Sequence, residues 1–172
     1  LSVIPKYNGP IWWVSAEEQS NSDGSKENPF DNIQSALEQI NVGDTIYLEP
    51  GIHHSPGSHG INADQMYSEF YIYGSTGDPK DVVIDAHDES RHFSLRGTET
   101  QELKAGFKNI TFYNGYANEG IGGGGGGSFI IGGHTRVNFD NCIFYKNETD
   151  DSSWGAGGAI LLENVEEANF TN

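Results

Sequence analysis

The sequence predicts an all-β solenoid, a parallel β-helix, and three observations carry that prediction. The first is a recurrent Phe-x-Asn: Phe107-Lys108-Asn109, Phe139-Asp140-Asn141 and Phe170-Thr171-Asn172 follow one another at steps of 32 and 31 residues. The second is a companion column with looser spacing, His92-Phe93-Ser94-Leu95-Arg96-Gly97, Ser128-Phe129-Ile130-Ile131-Gly132-Gly133 and Ala159-Ile160-Leu161-Leu162-Glu163-Asn164. The third is what lies between: short β-rich runs bounded by Gly, Asn and Asp, with neither a helical period nor a Leu-x-x-Leu-x-Leu frame. Columns that repeat together at nearly one step mark stacked units, each leaving an apolar edge that only the next unit covers. Phe107, Phe139 and Phe170 are then expected to form an internal ladder. Asn109, Asn141 and Asn172 are expected at a corner, because Asn tolerates the left-handed conformation and its amide can bond the same amide one coil away.

Taken in order, residues 1–51 read as an N-terminal cap and residues 52–172 as the coils. The cap opens irregularly around Pro5, Gly9 and Pro10, then gives a strand, Ile11-Trp12-Trp13-Val14. Adjacent side chains on a strand face opposite ways, so one Trp plugs the end of the core. The other is free to stack on a sugar or on a neighbouring subunit, and the pair Trp12 and Trp13 marks a candidate assembly interface. After a polar loop, Asp31 is expected to cap a short helix over 32–40, with Ile33, Ala36, Leu37 and Ile40 on one face. Thr45-Ile46-Tyr47-Leu48-Glu49-Pro50-Gly51 is the first clear strand and closes the cap. Glu69-Phe70-Tyr71-Ile72-Tyr73-Gly74 and Asp81-Val82-Val83-Ile84-Asp85-Ala86 follow, with a turn at Gly77-Asp78-Pro79. The chain stops at Asn172 in mid-coil without a cap, and this predicts either further coils or head-to-tail stacking of copies into a filament.

Composition narrows the function classes. With 9 basic against 25 acidic residues, the formal charge is −16, which argues against a nucleic-acid partner because phosphate binding needs a basic face. No apolar run approaches the roughly 20 residues of a spanning helix. The single cysteine, Cys142, rules out an internal disulfide framework and stands where Ile110 stands one coil earlier, as an apolar filler. An opening without Met or signal peptide suits a processed, secreted chain.

The order of the N-terminal motifs carries a resemblance. Trp13-Val14-Ser15, Asp23-Gly24, Asn28-Pro29-Phe30, Ile33-Gln34-Ser35-Ala36-Leu37 and Gly43-Asp44-Thr45-Ile46-Tyr47-Leu48-Glu49-Pro50-Gly51 together resemble the start of secreted right-handed parallel β-helix proteins of the pectin-lyase-like superfamily. Gly157-Gly158-Ala159-Ile160 and Phe144-Tyr145-Lys146-Asn147 are similar to the repeats of polymorphic bacterial surface proteins. The resemblance spans nearly the whole chain. It implies a right-handed solenoid whose short helix caps the open end, and an extracellular or cell-surface setting.

The candidate functional residues are weighed against that fold. Tyr113 and Tyr145 stand one coil apart, directly after the inward Phe112 and Phe144, so both are expected outside as an aromatic strip, with Trp154 nearby. Sequons occur at Asn109, Asn147 and Asn169. Asn109 belongs to the ladder, which leaves Asn147 and Asn169 as glycan acceptors, Asn147 in a loop being the better. His53, His54 and His59 share one loop but lack a ligand spacing. Asp85-Ala86-His87-Asp88-Glu89 with Arg91-His92 is the densest titratable cluster, a candidate acid–base or calcium group that lies where charged turn residues are ordinary. No metal site is assigned and no cofactor is expected; calcium is the ion such carboxylate loops would suit. The Gly run 122–127 lacks the Lys and following helix of a phosphate loop. Lys108, Asp140 and Thr171 occupy one outward column but change charge from coil to coil. The expected role is therefore a non-catalytic extracellular module, adhesin-like, fibre-forming or carbohydrate-binding, with glycans or its own copies as partners. The alternative is a fragment of a polysaccharide lyase or glycoside hydrolase.

Overall fold

A computed structural model describes residues 7–64, 68–117, 125–150 and 157–172. The chain forms a right-handed parallel β-helix of about five turns, and every ladder between its strands is parallel. The head consists of β1 (Ile11–Val14) and the five-residue helix α1 (Ile33–Leu37). The first coil runs through β2 (Thr45–Leu48), β3 (Gly51–His53) and β4 (Ile61–Asn62). The second has β5 (Glu69–Gly74), β6 (Val82–Asp85) and β7 (Phe93–Gly97). The third has β8 (Leu103–Lys108), β9 (Thr111–Tyr113), β10 (Tyr116–Ala117) and β11 (Phe129–Gly133). The fourth has β12 (Thr135–Asp140), β13 (Ile143–Tyr145), β14 (Glu148–Thr149) and β15 (Ile160–Glu163), and β16 (Glu167–Thr171) opens the fifth.

Stacking the coils generates three long faces. One sheet has the order β1-β2-β5-β8-β12-β16, a second β3-β6-β9-β13, and a third β4-β7-β11-β15, with β10 and β14 as a small added pair. In-register pairing places Phe107 beside Phe139 and Phe139 beside Phe170, and the same column runs back through Ile72 and Ile46 to Trp12. The six-rung column extends the three-Phe ladder toward the head of the solenoid.

The interior is a bundle of ring stacks, one contributed by each sheet. Phe107 lies over Phe139 at 5.3 Å and 14°, Phe112 over Phe144 at 5.2 Å and 17°, and Phe93 over Phe129 at 5.3 Å and 16°. Where the stacks meet they do so edge to face, as in Phe112–Phe129 at 4.9 Å and 86° and Phe129–Phe139 at 5.1 Å and 82°. Stacks offset along the axis with perpendicular contacts between them satisfy the ring quadrupoles in both directions. Trp12 is 1 % exposed and closes the head of this core, its indole Nε1 donating to Asp44 Oδ2 at 2.9 Å.

At the corners, Asn109 and Asn141 adopt φ of 56° and 50°, and Asn141 Nδ2 donates to Asn109 Oδ1 at 2.9 Å. The hydrogen bond between the two side-chain amides offsets the cost of the left-handed backbone. Asn172 is exposed.

Two boundaries differ from the sequence expectation. The helix is shorter than 32–40 and is capped by Asn32, whose Oδ1 accepts from Ser35 N at 2.8 Å; Asp31 is occupied with Asn32 Nδ2. Its end tightens into a Gln39 N–Ala36 O bond, and Ile40, beyond the helix end, still packs against the core. The first strand breaks at Pro50, which has no N–H to give a ladder, and the chain turns a corner into β3.

Close approach of coils explains particular glycines. A Cβ on Gly97 would fall on the carbonyl oxygen of His134, well inside van der Waals contact, whereas one on Gly77 would meet nothing. Gly97→Ala is expected to lose about 1–3 kcal/mol of stability by overpacking. Gly77→Ala should stay within about 0.5 kcal/mol of the parent. Urea denaturation of the two variants side by side checks this, and equal losses would refute the assignment.

Candidate functional site

The outer face of the β3-β6-β9-β13 sheet holds the Tyr pair. Tyr113 and Tyr145 are register partners, outward by alternation from Phe112 and Phe144, and their rings stack at 5.7 Å and 14°. Tyr145 is 55 % exposed. Lys146 Nζ lies 5.5 Å and 5.6 Å from the two ring centroids and donates to the Tyr113 hydroxyl at 3.2 Å. Interaction with that hydroxyl raises the pKa of the Lys146 ammonium, which keeps it charged over the rings.

Beside the rings, the same sheet presents a row of short apolar side chains. Ile52, Val83, Thr111 and Ile143 are successive register partners, and with Tyr113 and Tyr145 they floor a groove of about 400 Å³ walled by Lys80 and Asp85. A second, polar hollow of about 500 Å³ opens on the far side of Tyr113, between Asp88, Asn114, Tyr116 and Glu148. The arrangement is an aromatic and aliphatic floor with hydrogen-bonding groups at its rim, which suits a ligand with one apolar face and a polar edge. Trp154, expected near this strip, lies outside the described residues.

The other candidates are distributed as follows. Trp12 and Trp13 part company: Trp12 is buried in the core, and Trp13 stands outward, stacked on Tyr47 at 5.2 Å and 24°. Asn147 lies between β13 and β14, where its Oδ1 accepts from Gly115 N at 2.8 Å and its Nδ2 donates to Phe112 O at 3.0 Å. Asn169 is exposed, with Nδ2 donating to Asn138 Oδ1 and Glu167 Oε1. Cys142 is half-buried in the core edge, and burial pushes its thiol up to about 11, the behaviour of a filler rather than a nucleophile.

The two titratable clusters meet at one corner. His54 stacks on His87 at 5.2 Å, His87 Nε2 lies 3.4 Å from Asp85 Oδ2, and His59 Nδ1 is 2.8 Å from Ser90 Oγ. No group of three or more His, Cys, Asp or Glu among the described residues is arranged to hold a metal ion. His53 and His92 point inward instead. His92 is fully buried between Phe112 and Phe129, with Nε2 at 3.0 Å from Ile84 O and Nδ1 at 2.9 Å from Ser128 Oγ.

Carboxylates on the outward columns are tied to bases one coil away, or, for Arg96 and Glu163, two coils away across Gly132. Asp140 pairs with Lys108 at 2.5 Å, Arg136 joins Glu102 and Glu167 at 2.5 and 3.0 Å, and Arg96 meets Glu163 at 2.8 Å. Hydrogen bonds from these bases hold Asp140 and Glu102 below the usual carboxylate range, and bonds from Asn169 and Arg136 do the same for Glu167. The sequence reading missed one outward row, Trp13, Tyr47 and Tyr73 on the six-stranded sheet, although each directly follows an inward rung, Trp12, Ile46 and Ile72.

No family model, no curated protein and no solved structure matches the chain. Among the described residues no helix is long and apolar enough to cross a membrane.

Burial lowers the His92 imidazole to about 4, against 6.5 when free. The unfolded chain therefore takes up a proton near pH 6.5 that the folded chain refuses until about pH 4. Stability is full above pH 6.5 and falls as pH drops through that window, by on the order of 3 kcal/mol from this group. Denaturation midpoints measured from pH 7 to 4 should decline in the parent and flatten, without vanishing, in His92→Phe. An unchanged slope would show that the ring does not titrate this way.

Proposed function

We propose that the chain is a non-catalytic carbohydrate-binding module, displayed outside the cell in the manner of an adhesin. The observation that carries this reading is the stacked Tyr113–Tyr145 pair, held in register over an aliphatic groove and rimmed by Lys146, Lys80 and Asp85. A sugar ring offers C–H groups on its faces and hydroxyls at its edge, and this floor and rim complement both. Rigid strands fix the two phenol rings before any ligand arrives, which lowers the ordering cost of binding.

Three further features support the reading. A general acid needs a raised carboxyl pKa, whereas Glu102, Asp140 and Glu167 in the outward columns are shifted downward and paired with bases. The acidic surface, with its charge of −16, suits neutral glycans better than polyuronates. The short helix at the head of a right-handed parallel β-helix, together with the Trp13-Val14-Ser15 and Asn28-Pro29-Phe30 motifs, supports placing the chain beside the pectin-lyase-like proteins and the bacterial surface proteins with similar repeats.

Screening the protein against immobilised neutral oligosaccharides identifies a bound glycan, and Tyr113→Ala/Tyr145→Ala is then compared with the parent by titration calorimetry. The double variant is expected to lose affinity about tenfold, the equivalent of about 1.4 kcal/mol for one stacking contact. Tyr145 is exposed and Tyr113 half-buried, so the double variant is expected to stay folded, which thermal unfolding checks. Undiminished affinity in the double variant would remove this platform as the binding site.

A further inference from the structure

We propose that the outer face of the six-stranded sheet is a second, independent glycan site, for an extended neutral oligosaccharide, with Trp13, Tyr47 and Tyr73 as its stacking platform. Register pairing puts the three rings on consecutive coils of one outward column, so that neighbours are one strand spacing apart, about 4.8 Å. That step is close to the length of one hexose in an extended polysaccharide. A chain laid along the solenoid axis therefore meets a new ring with each sugar. All three side chains are half-buried, which anchors the rings while leaving their outer edges accessible. Trp13 and Tyr47 stack at 5.2 Å, Tyr73 meets Tyr47 edge-on at 6.0 Å, and Tyr71 widens the platform at 5.9 Å from Tyr73.

The polar surroundings fit the same ligand. A groove of about 440 Å³ runs beside Tyr47 and Tyr73, with Ser75, Thr76, Lys108 and Asn109 supplying donors and acceptors for sugar hydroxyls. The charged groups nearest the rings are already engaged. Lys26 sits 4.9 Å over the Trp13 ring, Lys108 is paired with Asp140, and Glu69 accepts from the Tyr71 hydroxyl at 2.8 Å. With its charges so engaged, the platform favours a neutral glycan over a uronate. An aromatic ladder that served only to stabilise strands would need the ring contacts but not the hydroxyl-lined groove. The site lies across a corner from Tyr113 and Tyr145, beyond Asn109 and the loop from Ser75 to Lys80, and shares no ring with that platform.

Tryptophan emission reads this site directly. In a Trp154→Phe background only Trp12 and Trp13 remain, and Trp12 is buried. The protein is titrated with hexasaccharides of β-1,4-glucose, β-1,4-mannose and β-1,4-N-acetylglucosamine, with hexagalacturonate as the acidic comparator. At least one neutral hexasaccharide is expected to give a saturable change in emission. Tyr113→Ala/Tyr145→Ala should leave that change intact, whereas Tyr47→Ala/Tyr73→Ala should weaken it about tenfold. If the latter pair does not fold, Ser75→Arg fills the groove from an exposed position and should weaken binding similarly. Absence of any response to the three neutral hexasaccharides, a preference for hexagalacturonate, or indifference to both sets of groove variants overturns the proposal. A Trp13 response that survives loss of the Tyr113–Tyr145 site would uphold this site even if the first reading fails, and the reverse pattern would do the opposite.

Discussion

In-register parallel pairing is the constraint on which the rest of the structure depends. Once a residue of one coil is fixed opposite its counterpart in the next, every side chain acquires a neighbour of the same orientation at one strand spacing. Inside, that rule turns single phenylalanines into the stacks at Phe107–Phe139, Phe112–Phe144 and Phe93–Phe129. At the corners it turns Asn109 and Asn141 into a bonded pair. Outside, it turns an isolated Tyr into a platform and an isolated Lys into the partner of an acid one coil away, as in Lys108–Asp140. A slip of one residue would send every ring to the opposite face, so the hydrophobic core and the surface rows are set by one register.

Much of this was legible because two of the columns repeat with little change in spacing. The 32- and 31-residue steps of Phe107, Phe139 and Phe170 correspond to whole coils, and Phe93, Phe129 and Ile160 are register partners on another sheet. Toward the head the same inward column was hidden for two reasons. Its residue type changes from Phe to Ile72, Ile46 and Trp12, and the gaps become 35, 26 and 34 residues (107 back to 72, 72 to 46, 46 to 12) as loops lengthen and shorten. The outward row Trp13, Tyr47 and Tyr73 went unread with it, since its alignment rests on those same gaps. The cap of α1 shows a finer limit. Asp31 and Asn32 are both good N-caps, and only the backbone of Asn32, extended at φ −154°, decides between them.

The corner histidines illustrate what pairing adds to composition. His54 and His87 are 33 residues apart in sequence, and nothing local marks them as neighbours; the coil brings them into a ring stack. His92 shows the converse. A titratable residue in the densest charged stretch of the sequence is turned into the core at the bend just before β7, where its two nitrogens are satisfied by Ile84 O and Ser128 Oγ. Alternation placed Tyr113 outside, whereas His92 and the adjacent Phe93 are both buried, so a corner and not strand parity turns the imidazole inward.

The bonds that join one coil to the next run along the solenoid axis, among them Gly126 N to Gly157 O, Gly127 N to Gly158 O and Ser128 N to Ala159 O. Mechanical load therefore meets a different structure in each direction. Tension along the axis pulls these bonds in line and opens the seam between two coils bond by bond. Force across the axis bears on the covalent chain of each turn and on the interlocked ring stacks, which have no seam to open.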